Sequence, residues 1–178
     1  MRKLFLLLLL APVFCSAQSV NELDIKNGFL QFHLGDSITA YKDYTLIPLK
    51  KHPDQNEVRP PTYKLHKHLD KLTLVNQHGI VTEIDLMVSA EPDMQFMDDL
   101  LYKAYGPGTE IHKEVRNDPG VYLTYTRWVG KRVTLLLIQT NINKVVNNVM
   151  TRGRYQSIVF LKNSDEKMDG ILPDGFPL

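Results

Sequence analysis

Apolar and polar residues alternate through 72–76 and again through 80–88, with Gln77-His78-Gly79 between the two runs. Alternate strand positions share a face, so this period of two predicts a β-hairpin with one oily side and one mixed side. A three-residue loop with Gly79 in the left-handed position sets Leu72 opposite Ile84 and Leu74 opposite Thr82 on one side. Thr73 then faces Glu83, and Val75 faces Val81, on the other. Beyond Pro92 the period changes: Phe96, Met97, Leu100, Leu101, Ala104 and Tyr105 recur at helical spacing. This predicts a helix over 92–105, stopped by Gly106-Pro107, because glycine accepts the left-handed cap and proline cannot continue the helix. A second hairpin, 121–128 with 132–139, turns at Val129-Gly130-Lys131, and its run 133–138 is apolar on both sides apart from Thr134, as in a central strand.

The remaining segments read as shorter pieces. Residues 28–34 predict a first strand, and Gly35-Asp36-Ser37 a turn and cap for a short helix over 37–43. Residues 44–49 read as extended, and 50–61, polar with three prolines, as a loop. Residues 63–69 alternate as a half-buried strand, and 109–116 form a further segment before the turn residues Asn117-Asp118-Pro119-Gly120. The stretch 141–154 is open between a helical turn and a loop, 155–161 is a last strand, and 163–178 is a loosely held tail. The expected fold class is therefore α+β, a mostly antiparallel sheet packed on the helix at 92–105, with Leu72, Leu74, Ile84, Leu86, Leu100, Leu101, Leu135 and Leu137 in the core. Helix then strands over 36–88 recurs over 93–161, a repetition of element order only.

The first residues lie outside this pattern. Arg2-Lys3, the apolar run from Leu4 to Phe14 and the small residues that follow have the form of a secretory leader. The run falls short of the ~20 apolar residues that cross a bilayer, and Pro12 interrupts it. Cys15 at −3 and Ala17 at −1 set cleavage before Gln18, giving a leader over 1–17, one domain over 18–162 and the tail, in a periplasmic or secreted protein. A lipoprotein anchored through Cys15 is the alternative, and Phe14 before it is larger than that motif uses. Cys15 is the chain's single cysteine, so the exported domain relies on its core rather than on disulfides.

Charge narrows the partners. The sequence has 21 Lys and Arg against 20 Asp and Glu, and losing Arg2 and Lys3 with the leader brings the net charge to about −1, so no broad field directs the chain to nucleic acid. No serine stands in a nucleophile elbow, and Gly106-Pro107-Gly108 lacks what a phosphate loop needs. Ser164 and Lys167 match S-x-x-K by letter in a polar tail. His66 and His68 share a strand face in this reading, as a metal pair or as solvated histidines, while Glu83 lies two strands away, roughly 9–10 Å. Glu83 and Asp85 share a face at roughly 7 Å, near glycosidase carboxylate spacings, or are a polar sheet face.

These groups, with Tyr122 and Trp128, are expected to line an open sheet face, where aromatic side chains interleaved with charges favour binding. The expectation is a non-catalytic binding module for an envelope protein or small ligand, with no cofactor, no resident metal, no nucleic acid and no membrane span. The alternative is a small periplasmic hydrolase or metal-binding protein using Glu83 and Asp85 or His66 and His68.

The Gly28…Leu34-Gly35-Asp36-Ser37 opening, the 72–86 hairpin, the Leu100-Leu101…Tyr105-Gly106-Pro107 helix end and the Trp128 hairpin resemble small uncharacterised secreted proteins of Bacteroidota-like bacteria. More remotely, the doubled helix-then-strands order is similar to beta-lactamase-inhibitor-protein-like domains and to small lipoproteins of outer-membrane assembly. The resemblance implies an α+β fold and carries over no functional residue.

Overall fold

The computed structural model describes residues 22–59, 67–114, 120–146 and 149–163. The expected leader, with the cysteine, the expected tail beyond Asn163 and the segment 60–66 lie outside them, and with that segment most of the strand expected over 63–69. Two short strands, β1 (Gly28–Phe29) and β2 (Phe32–His33), pair with each other. Ser37 accepts a hydrogen bond from Thr39 N–H and caps a 3-10 turn, Ile38–Tyr41, where the short helix was expected.

The body is an eight-stranded antiparallel sheet. Its strands are β3 (Thr45–Leu49), β4 (His52–Arg59), β5 (Lys71–Gln77), β6 (Ile80–Val88), β7 (Thr109–Glu114), β8 (Val121–Val129), β9 (Val133–Val146) and β10 (Val149–Lys162). Their spatial order is β3-β4-β5-β6-β10-β9-β8-β7, two four-stranded meanders joined through their last strands.

One long helix, Glu91–Tyr105, covers one face of this sheet. Pro92 stands in its first turn, Glu91 and Asp93 place negative charge at its positive end, and Lys103 is in its last turn. Gly106 ends it at φ 72°, its N–H returning to the Tyr102 carbonyl at 2.8 Å. Met94, Met97, Leu101 and Tyr105 face the sheet and are buried, packing with Leu72, Leu74, Ile84, Leu86, Leu135, Leu137, Ile158 and Phe160. Leu100, expected in the core, is 40% exposed because the buried stripe passes one position away, through Leu101.

Three local readings are corrected. Residues 52–59 are a strand although they were expected to be loop: β3 pairs Leu49 with His52 and Pro48 with Asn56, so Pro53 falls inside the irregularity and costs no ladder bond. Residues 141–146 and 149–154 continue β9 and β10 where a helical turn or loop was expected, and 147–148 lie outside the described residues. In the β5–β6 hairpin the observed partners are Leu72↔Leu86, Leu74↔Ile84 and Thr73↔Asp85. His78 and Gly79, both at positive φ, make a two-residue turn closed by Gln77↔Ile80, and a bulge follows between Val75 and Asn76. For 72–75 the register moves by two, an even number, and these side chains keep their expected faces, whereas beyond the bulge Val81 pairs with Asn76 and is buried in the helix-side core rather than on the mixed side where it was expected.

Candidate functional site

Cross-strand partners share a sheet face, so the ladders sort the expected site residues. On the helix-covered face, Gln156↔Val88 and Gln156↔Gln139 continue through Thr124, and the rows beside it carry Thr126, Trp128 and Tyr122. On the other face, Asp85 stands between Thr73 and Val159, and Glu83 between Val75 and Leu161. The expected continuous face is therefore two faces. Trp128 is 3% exposed, beneath the end of the helix, where it donates its indole N–H to the Gly106 carbonyl at 2.8 Å and meets the Tyr102 ring edge-on. That places Trp128 in the core rather than on a binding surface. Tyr122, six residues earlier on the same face, clears the helix and is 48% exposed.

His66 lies outside the described residues, so the pair with His68 is not on view. His68 sits in a turn, its Nδ1 against the Asp93 carboxylate and its ring stacked 4.0 Å from that of Phe96. Both partners belong to the long helix, so His68 faces the helix side of the molecule, away from Glu83 and Asp85. Among the described residues no group of three or more His, Cys, Asp or Glu side chains is placed to hold a metal ion.

Glu83 and Asp85 remain together on the helix-free face, two positions apart on β6. Burial, then the charges of Asp85 and Asp54, push the Glu83 carboxyl up to about 7. Burial likewise raises Asp85 to about 6, against the pull of Lys71. The Asp85 Oδ1 atom is buried and accepts no hydrogen bond among the described residues. Glu57, on β4, lies 2.8 Å from Arg59 and 3.9 Å from Lys71, closing the acidic end of this face. Its other end is apolar: Leu136, Ile138 and Val159 are 7% exposed or less, with Leu123, Tyr125 and Leu161 packed on them. Two carboxyl groups of near-neutral pKa beside an apolar strip are able to accept hydrogen bonds from a donor, to hold a cation, or to exchange a proton.

Sequence reasoning missed a polar lock on the helix side. Asp98 takes hydrogen bonds from Gln139 Nε2 at 2.9 Å and from Gln156 Nε2. Burial raises its pKa, although both amides and Arg154 pull it down. Asp98 is adjacent to Asp99 in sequence, with no local pattern to tie it to the sheet, and only the strand ladder brings Gln139 and Gln156 beneath it.

Comparison with protein-family models, with curated proteins and with solved structures returns no match.

Proposed function

We propose that the chain is an exported, non-catalytic binding protein of the cell envelope, periplasmic or secreted, working through the helix-free sheet face around Glu83 and Asp85. The leader-like start supports export, and no helix among the described residues is long and apolar enough to cross a membrane. The observation that carries the binding reading is the buried, unpaired Oδ1 of Asp85 at the border of the apolar strip. An unmet buried acceptor costs about 1–3 kcal/mol, so a ligand that supplies a donor removes the penalty. The favoured ligand has an ammonium or other donating head for Asp85 and Glu83 and an apolar body for Leu123, Tyr125 and Leu161, which are only partly buried.

The test uses two dansyl-labelled alkyl chains, one ending in an ammonium and one in a carboxylate, followed by fluorescence on titration with the exported chain. The ammonium probe is expected to bind, and Asp85→Asn, checked for a cooperative unfolding transition no lower than that of wild type, to weaken it about tenfold, the loss of roughly one charge-assisted hydrogen bond. Equal binding of both probes, or unchanged binding by Asp85→Asn, overturns the reading.

The raised carboxyl groups favour one rival, a hydrolase in which Glu83 and Asp85 act as acid and base. Turnover of a chromogenic glycoside panel that is abolished by Glu83→Gln and by Asp85→Asn alike would install it instead.

We also read the 3-10 turn with β3–β6, and the long helix with β7–β10, as two copies of one helix-then-strands unit. The pairing of β6 with β10, the last strand of each, supports that reading and the resemblance to beta-lactamase-inhibitor-protein-like domains.

A further inference from the structure

Strands β9 and β10 outrun their neighbours. The last pair of β9 with β8 is Ile142↔Val121, and the last pair of β10 with β6 is Gln156↔Val88. Among the described residues, 144–146 and 149–155 therefore continue as a ribbon whose strands pair with each other, and at its base Asn143 N–H still reaches the Gly120 carbonyl at 2.7 Å. On the ribbon's helix-side face Arg154 lies opposite Asn141, Arg152 opposite Asn143, and Met150 opposite Val145.

Two arginines and two asparagines thus leave the backbone at the corners of a rectangle of roughly 5 by 7 Å. A shallow, open hollow of about 430 Å³ borders this stretch, residues 141–143 on one strand and 152–154 on the other. Arg154 gives one nitrogen to Glu91 at 2.6 Å, while Arg152 and both asparagine side chains have no hydrogen-bond partner among the described residues. Two positions farther out, Val145 and Met150 are 62% and 54% exposed, and Tyr122 flanks Asn141.

Along this face the described residues run from an apolar pair to cationic and amide donors about 7 Å behind it, with an amphipathic ring alongside. A bilayer presents the complementary order, acyl boundary and then headgroup phosphate, over a similar depth. Charge agrees with that occupant: residues 141–155 contain Lys144, Arg152 and Arg154 and no Asp or Glu, in a chain otherwise close to neutral.

We propose that this ribbon is a peripheral contact for an anionic phospholipid surface, the headgroup phosphate seated among Arg152, Arg154, Asn141 and Asn143 with Val145 and Met150 entering the interface. The surface is separate from the helix-free face and stands whether or not that face binds a ligand.

Co-sedimentation of the exported chain with vesicles of phosphatidylglycerol or of phosphatidylcholine tests it. Binding to phosphatidylglycerol alone is expected, weakening as salt is added, about fivefold weaker in Arg152→Gln. The pair Val145→Ser/Met150→Ser is expected to weaken it as well, with wild-type unfolding transitions in both variants. Equal sedimentation with both vesicles, none with phosphatidylglycerol, or variants that bind like wild type overturns the proposal. So does full displacement by inorganic phosphate at constant ionic strength, which would assign the cavity to a soluble anion.

Discussion

Trp128 and Gly106 are joined by the hydrogen bond that fastens the end of the long helix to β8, the indole N–H donating to the glycine carbonyl at 2.8 Å. Gly108 makes the close approach possible, since a Cβ there would stand 2.6 Å from Thr126 Cγ2 and 2.9 Å from Trp128 Cε2. Trp128→Phe keeps most of the apolar contact but leaves the Gly106 carbonyl without its donor. The expected cost is about 1–3 kcal/mol, read from urea unfolding. An unchanged midpoint would show that the bond contributes nothing to holding the helix.

Asp24 closes a second long-range link. Its carboxylate accepts the backbone N–H groups of Lys131 at 2.7 Å, Arg132 at 2.8 Å and Val133 at 3.1 Å, tying the N-terminal helical segment over 22–26 to the β8–β9 turn. Burial works against the charge, yet these bonds hold its pKa below the ordinary carboxylate value. A depressed carboxyl stabilises above its unfolded pKa and loses that contribution as pH falls. Asp24→Asn should therefore cost about 1.5–3 kcal/mol near neutrality, with the deficit shrinking in acid. Gly130→Ala tests the same contact sterically, because its Cβ would collide with the Asp24 carboxylate.

Both links were invisible in the sequence for the same reason: each joins segments through long-range packing that no local period records. Asp24 lies in Glu22-Leu23-Asp24, with no cap or turn signal, more than a hundred residues from its partners. Trp128 alternates with Arg127 and Val129, so the sequence shows that its face differs from theirs but not which face the helix covers. Where one local rule decides, the sequence was legible. The helix stop at Gly106-Pro107 and the opposite faces of Ile84 and Asp85 follow from short patterns, and the β8–β9 hairpin was expected with its turn one residue early, since Val129 belongs to β8 and pairs with Thr134. The β5–β6 register was not, because a two-residue turn and a bulge replaced the three-residue loop. For the candidate site, the carboxylate pair was legible from its spacing, whereas its separation from Trp128 and His68 required the ladder.

Adjacent leucines on the long helix give a direct check of which stripe is buried. Leu101 is 4% exposed within the core cluster and Leu100 is 40% exposed. Leu101→Ala should lower stability by about 2–5 kcal/mol, and Leu100→Ala by no more than about 0.5 kcal/mol. Equal losses in the two variants, measured by urea denaturation, would mean that the helix is rotated about its axis.

The acidic pair makes stability fall as pH rises. A carboxyl whose pKa is higher folded than unfolded retains its proton longer in the native state, so the folded chain binds more protons between the two values and loses stability as they are removed. For Glu83 that window runs from 4.5 to about 7, and for Asp85 from 3.8 to about 6. A rise of about 2.5 units in Glu83 corresponds to at most about 3 kcal/mol, reduced by whatever solvent reaches the group. Glu83→Gln removes both the ionisation and its repulsion of Asp85. The variant should be more stable than wild type at pH 8 and nearly equal to it at pH 4, with the difference opening between pH 5 and 7. Asp85→Asn should show the same trend shifted about one unit lower. Urea unfolding across this range checks both, and a difference independent of pH would mean that the two carboxyl groups titrate in the folded chain as they do in water.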